Sequence, residues 1–287
     1  MPPGRVGVVT DSTASLSDET AATHGVVVVP LEVVVGDETF LEGGGELTSS
    51  ALAAALRDRR RVTTSQPGPA AFAAAYDALA AAGCTAVVSV HLSAGLSGTY
   101  DSAVLAAAEV GVPVTVVDTR QVGMGVGFAV LAAAEAAAAG EQADAVADAA
   151  RRCAAGTTSL FYVDTLEHLR RGGRVGATAA LLGSALAVKP LLRLDDGAVV
   201  PCEKVRTTAK ALQRLGQLAV EAADHRPVDV AVAHLESPQR AADLAAMIGD
   251  WLDDELGQRD VAIVEIGAVL GAHVGPGMVG VAVAPRL

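Results

Sequence analysis

Aromatic residues are scarce: one Trp, three Tyr and four Phe, 3% of 287 residues. No stretch interleaves aromatic with basic side chains, and the chain is acidic overall at −12, which argues against a nucleic-acid ligand. With so few rings, a core drawn from the 51% hydrophobic content must be built from Ala, Val and Leu. Cysteine is equally sparse. Cys84, Cys153 and Cys202 lie far apart, with no CxxC pair and no His at zinc spacing, which argues for a reducing cytosol and against a structural metal site. The opening MPPGRVGVVTDS lacks a signal-peptide apolar region, and a cytoplasmic location is the expectation. A phosphate-binding GxxxxGK[ST] loop is missing, as is a paired-carboxylate site for Mg²⁺, so the chain should not transfer phosphoryl groups from ATP unaided. The one long run without formal charge, 266–285, has the length of a membrane span. Its glycines, Pro276 and His273 instead predict a strand, a Gly/Pro loop and a second strand.

What is present begins with Ser93-Ala94-Gly95-Leu96-Ser97-Gly98-Thr99-Tyr100. The spacing predicts a buried strand over 85–91 before it and an Ala-rich helix over 99–110 after it. It is therefore a turn at the carboxyl end of a strand, where open α/β sheets place ligands. Glycines allow close backbone approach, and helix-start N–H groups favour an anion. Ser97 and Thr99 add hydroxyl donors, although Ser and Thr are also ordinary helix caps. Thr63-Thr64-Ser65-Gln66-Pro67-Gly68-Pro69 reads as a second donor-rich helix start, with a helix over 70–82, and Ser65 could serve only as its cap.

Strand and helix alternate up to about residue 156, as a parallel doubly wound sheet requires. Beyond it the rhythm changes. Asp195-Asp196-Gly197 predicts a hairpin between 191–194 and 198–203, followed by a helix at 207–223, a strand at 228–234, a helix at 239–256 and a strand at 260–266. The small apolar run 177–188 predicts a buried segment. The reading is an α/β chain: an N-terminal parallel α/β/α sandwich domain over 1–157 plus a C-terminal mixed-sheet α/β domain over 158–287. Charge is uneven across it. The segment 168–214 holds nine basic residues against three acidic ones, and all three lysines of the chain fall inside it. A basic segment in an acidic chain suggests an anionic partner or phosphate chemistry on one face.

Six motifs in order, VVTDSTASL, TTSQPGPAAF, HLSAGLSGTYDSA, LFYVDTLEHLRRGGRV, KPLLRLDDGAVVPCEKVRT and HVGPGMVGV, resemble the DegV family across essentially the whole chain. These are the bacterial fatty-acid-binding (FakB-type) subunits of fatty acid kinase. The resemblance implies a long-chain fatty acid as ligand, its tail buried in a tunnel and its carboxylate near the domain junction. It implies Thr64 or Ser65, Ser97 with Gly98, and His273 as the carboxylate's partners, and leaves open which of Thr64 and Ser65 serves. It also implies a separate ATP-dependent kinase that phosphorylates the bound carboxylate to an acyl-phosphate. Arg170, Arg171, Arg174 and Arg206 would dock that kinase. The protein is then expected to be a non-catalytic lipid-binding subunit with no cofactor, no metal, no nucleic acid and no transmembrane segment, its tunnel walled by 177–188.

Three rival readings stay open at this stage. A serine hydrolase would want GxSxG, but GLSG brings its second glycine one residue early, and the sequence identifies no acid-oriented His. A carrier subunit for a small polyol in a related kinase system would use His273 covalently and need a small polar pocket. A lipid reservoir would have no kinase partner.

Overall fold

A computed structural model describes residues 4–174 and 189–287. In chain order its strands are β1 (Val6–Asp11), β2 (Val26–Val29), β3 (Glu32–Val35), β4 (Glu38–Leu41), β5 (Val62–Ser65), β6 (Ala86–His91), β7 (Val114–Asp118), β8 (Thr158–Tyr162), β9 (Lys189–Asp195), β10 (Ala198–Val205), β11 (Val228–His234), β12 (Ala262–Glu265) and β13 (Val279–Pro285). The contacts divide the chain into two compact units. One comprises residues up to Glu32 with Ser65–Gly156 and Leu287, the other Val33–Thr64 with Thr157–Arg286.

The first unit is built on a four-stranded parallel sheet of order β2-β1-β6-β7. Its central strands are buried on both faces, so their sequences run VGVVTD and AVVSVH without polar alternation. Phe72, Tyr76 and Leu79 of the helix Pro69–Ala81 and Ala103 and Ala106 of the helix Thr99–Ala107 pack on Val9 and Val87. The helices Met124–Ala138 and Ala143–Gly156 cover the other face, supplying small side chains such as Val126, Ala129 and Ala133 in place of aromatics. Each turn at a carboxyl end of β1 or β6 thus precedes a helix, which is what places polar groups there.

The second unit carries a six-stranded mixed sheet, β10-β9-β8-β13-β11-β12, antiparallel except for the β11–β12 pair. Leu215, Ala219, Leu244 and Ile248 from the helices Thr208–Ala223 and Pro238–Trp251 fill its core against Leu160, Val230 and Val281. The expected hairpin is present. Asp196 and Gly197 both take positive φ (47° and 80°), the conformation that a two-residue turn matching the strand twist demands.

Three features depart from the sequence reading. Residues 33–64 group with the second unit, not with the segment 1–157. The reason is that β4-β3-β5 form a small separate sheet, and the helix Ser49–Arg57 packs on the helix Ala268–Val274. Residues 62–65 are a strand, and the cap of the following helix is Gly68, not Ser65. Within 266–285 a helix, Ala268–Val274, replaces the expected loop around His273. Gly271 is no breaker there: a Cβ on it would stand 2.7 Å from Leu52 Cδ2, so the glycine lets two elements approach. The run 177–188 lies outside the described residues. Among those described, no helix is long and apolar enough to cross a membrane.

Candidate functional site

In the second unit the helix Ala268–Val274 is the positioning element. Its N-terminal turn receives the Glu42 carboxylate, whose Oε1 accepts the Val269 N–H at 2.7 Å. Its last turn carries His273, and Gly275 at φ +76° ends it. His273 Nε2 lies 2.9 Å from Thr64 Oγ1 on β5. The other ring nitrogen, Nδ1, is buried and has no hydrogen-bond partner among the described residues. The backbone of Gly172 closes over it so tightly that a Cβ there would collide with Nδ1. Burial, reinforced by the positive charge of Arg174, pushes the His273 pKa down to about 4.

The imidazole is therefore neutral at pH 7 and owns a single N–H. A bare nitrogen at Nδ1 is the cheaper group to leave unpaired beside a cation, which puts the proton on Nε2. Nε2–H then donates to Thr64 Oγ1, and the Thr64 hydroxyl proton is left to point away from the histidine. The packing is reciprocal. The His168 ring covers Gly275 as Gly172 covers His273, so the short helix Glu167–Arg171 and the His273 helix interlock through two glycines.

In the first unit, β6 delivers the chain to the Ser93–Gly98 turn. Ser97 Oγ is 2.9 Å from Thr99 Oγ1 and accepts the Thr99 N–H at 3.3 Å, so the hydroxyl that sequence reading singled out also shapes the helix start. Gly98 is required by close approach: a Cβ would run into the Gln66 carboxamide, which in turn donates to Ser102 Oγ at 3.1 Å. Ser65 is exposed and its hydroxyl donates to the adjacent Gln66 carbonyl at 3.3 Å. Of the two hydroxyls left open, Thr64 is the one joined to His273.

The basic residues separate as well. Arg170, Arg171 and Arg206 are exposed, with Arg171 paired to Glu167. Arg174 is half-buried, donates to the Gly172 carbonyl and acts electrostatically on His273. An open depression of about 480 Å³ near Pro276 also holds arginines, but Arg57 faces Glu236 at 3.6 Å and Arg240 faces Asp164 at 3.3 Å. Their charge is already matched. Among the described residues no cluster of His, Cys, Asp and Glu could hold a metal ion.

Sequence reading missed a buried set altogether: Tyr76, Ser89, His91 and Asp11, hydrogen-bonded in that order. An acid-oriented histidine does exist in this chain. The signal was available in TAVVSVH, where Ser89 and His91 are two apart and so share a face of the strand.

The architecture is that of a two-unit α/β protein with donor-rich strand ends and a neutral, buried His–Thr pair. The chain belongs to the DegV family, which it matches over residues 5–286. It is 53% identical over 281 residues to a DegV domain-containing protein of Streptomyces coelicolor, covering 98% of this chain and 99% of that one. Its fold is similar to that of a fatty-acid-binding DegV protein from Thermus thermophilus, with TM-score 0.91, 34% identity and coverage of 98% and 100%. It is also similar to DegV of Bacillus subtilis, described as a fatty acid binding protein, with TM-score 0.88, 33% identity and coverage of 99% and 100%.

Proposed function

We propose that this protein binds a long-chain fatty acid and presents its carboxylate to a partner ATP-dependent kinase, which converts it to an acyl-phosphate. The observation that carries the reading is the neutral His273–Thr64 pair in a chain similar to fatty-acid-binding DegV proteins. A buried carboxylate needs donors, because an unpaired charge in a sheltered site is very costly. Thr64, its proton oriented by His273, is the direct donor in this account. Ser97 and the backbone at Gly98 supply further donors. None of these groups carries a full positive charge, so the carboxylate is held without being neutralised and one oxygen keeps its nucleophilicity. That oxygen attacks the γ-phosphorus of ATP on the kinase, the bond to the β-phosphate oxygen breaks, and ADP leaves.

Affinity comes from the tail. At ~0.8 kcal/mol per buried CH₂, the methylenes of palmitate contribute a gross of roughly 11 kcal/mol, against ~1.5–3 for each charge-assisted hydrogen bond. The tail binds and the head group orients. Arg170, Arg171, Arg174 and Arg206 are proposed to dock the kinase and balance phosphate charge, in keeping with the basic segment of an otherwise acidic chain. Three cysteines that remain thiols suit a cytoplasmic setting.

The test is to incubate oleate-loaded protein with ATP, Mg²⁺ and an extract of the source cells, and to trap acyl-phosphate with hydroxylamine. Oleoyl hydroxamate that depends on the protein, and disappears in Arg170→Glu with Arg206→Glu, is the expected result. Bound oleate with no hydroxamate would leave a lipid reservoir.

A further inference from the structure

Tyr76, Ser89, His91 and Asp11 have no solvent exposure at all. The Tyr76 hydroxyl donates to Ser89 Oγ at 2.9 Å, Ser89 Oγ lies 2.7 Å from His91 Nε2, and His91 Nδ1 lies 2.8 Å from Asp11 Oδ2. One proton arrangement satisfies every member. The carboxylate only accepts, so the imidazole N–H sits on Nδ1; Nε2 then accepts from Ser89, and Ser89 accepts from Tyr76. Burial pushes the Tyr76 phenol up to about 12, which keeps it a donor at any physiological pH. Asp11 takes three more donors: the Leu92 N–H at 3.3 Å, the Thr13 N–H at 3.0 Å and the Thr13 hydroxyl at 2.5 Å.

Serine, histidine and aspartate in this order are the constellation of a hydrolytic triad. Here they cannot act as one. Ser89 is in the interior of β6, sealed from solvent, and Phe72 stands edge-on to His91 with ring centroids 5.0 Å apart. The location of the chain of bonds suggests a different task. Asp11 ends β1 and His91 ends β6, and both lie where the ligand turn begins. The His91 carbonyl accepts from Thr119 twice, from N–H at 3.1 Å and from the hydroxyl at 2.7 Å. Asp11 holds the next N–H, that of Leu92. Ser93 N–H is then fixed on the Gln121 carbonyl at 2.9 Å, and the Ser93 carbonyl accepts from Leu96 at 3.0 Å and from Ser97 at 3.2 Å. Fixed groups therefore run without interruption from Asp11 to Ser97.

We propose that the Asp11–His91 pair, backed by Ser89 and Tyr76, is a positioning device that sets the Ser93–Gly98 turn so that the Ser97 hydroxyl meets the ligand's carboxylate. The ligand in this statement rests on the fatty-acid reading; the setting of the turn does not, and two measurements separate them. The first is amide hydrogen exchange on the ligand-free full chain. Asp11→Asn should speed exchange at Leu96 and Ser97 about tenfold while leaving Val8 and Val88, in the middle of β1 and β6, unchanged. Unchanged exchange at the turn, or acceleration spread evenly over the sheet, overturns the proposal. The second is oleate affinity in a double-mutant cycle. Asp11→Asn should weaken binding about tenfold alone and less than about twofold when Ser97 is already Ala, because the pair acts through Ser97. Equal losses in both backgrounds overturn the link to the ligand. Should Asp11→Asn fail to fold, Ser89→Ala, which deletes one hydroxyl and leaves every backbone bond in place, carries both measurements. If the wild-type chain takes up neither palmitate nor oleate, the proposed function fails and the exchange measurement alone decides the positioning claim.

Discussion

His273 is neutral because it is buried beside a cation, and that has a measurable consequence for stability. Its pKa falls from the ordinary 6.5 to about 4 on folding. Above pH 6.5 the folded and unfolded chains are alike at this residue. As pH falls below 6.5 the unfolded histidine takes up a proton while the folded one does not, so stability drops until the folded pKa is reached. The loss attributable to His273 is up to about 3 kcal/mol between those pH values. Denaturant melts of wild type and His273→Asn at pH 7 and pH 4.5 should show a smaller acid-induced loss in the variant; equal losses would mean that the ring is not held neutral. Thr64→Val removes the proposed donor while keeping the shape. It should weaken oleate binding by a factor of about ten or more, the weight of one hydrogen bond to a charged group, and lower fold stability by about 1–3 kcal/mol, because the buried His273 Nε2–H loses its acceptor. Ser65→Ala should leave affinity unaltered, since its hydroxyl turns to its own neighbour.

Glycines decide how the elements meet, and the partners of each glycine predict different outcomes. A Cβ on Gly271 would press on Leu52 and Leu235, both buried, so Gly271→Ala should cost about 1–3 kcal/mol of stability. A Cβ on Gly172 would instead displace the His273 ring, and Gly172→Ala should lower affinity for oleate more than it lowers the melting temperature. Calorimetry and ligand titration on the two variants separate these cases. Sequence reading treated the glycines around His273 as breakers because periodicity cannot tell a packing glycine from a turn glycine. The same limit hid β5, where Thr63, Thr64 and Ser65 look like a capping cluster and are in fact a strand pairing in a three-stranded sheet. Where Val and Ala dominate a short segment, as in 228–234 (VDVAVAH), the strand was legible to its ends. The turn 93–98, its glycines and Ser97 were legible because hydroxyls and glycines concentrate between a strand and a helix. The buried set was legible only in part: Ser89 and His91 share a face of β6, but Asp11 joins them only through the pairing of β1 with β6.

At the scale of the whole molecule, the two-unit organisation shows that sequence order and spatial grouping differ. Residues 33–64 leave the first unit and bring Thr64 to the same unit as His273. No local pattern announces such an excursion, because it is set by long-range pairing. Charge is the other molecular property. A segment with nine basic and three acidic residues inside a chain of net −12 should make kinase-dependent turnover fall steeply with ionic strength while oleate affinity, which is dominated by the tail, changes little. Hydroxamate yield and oleate titration at low and high salt check this, and a parallel loss of both would contradict it. The most direct test of the central claim is mass spectrometry of the organic extract from protein purified without added lipid. The account predicts one long-chain fatty acid per chain in wild type and a marked loss in Thr64→Val and Ser97→Ala. An empty extract, with no uptake of added palmitate or oleate, would contradict it.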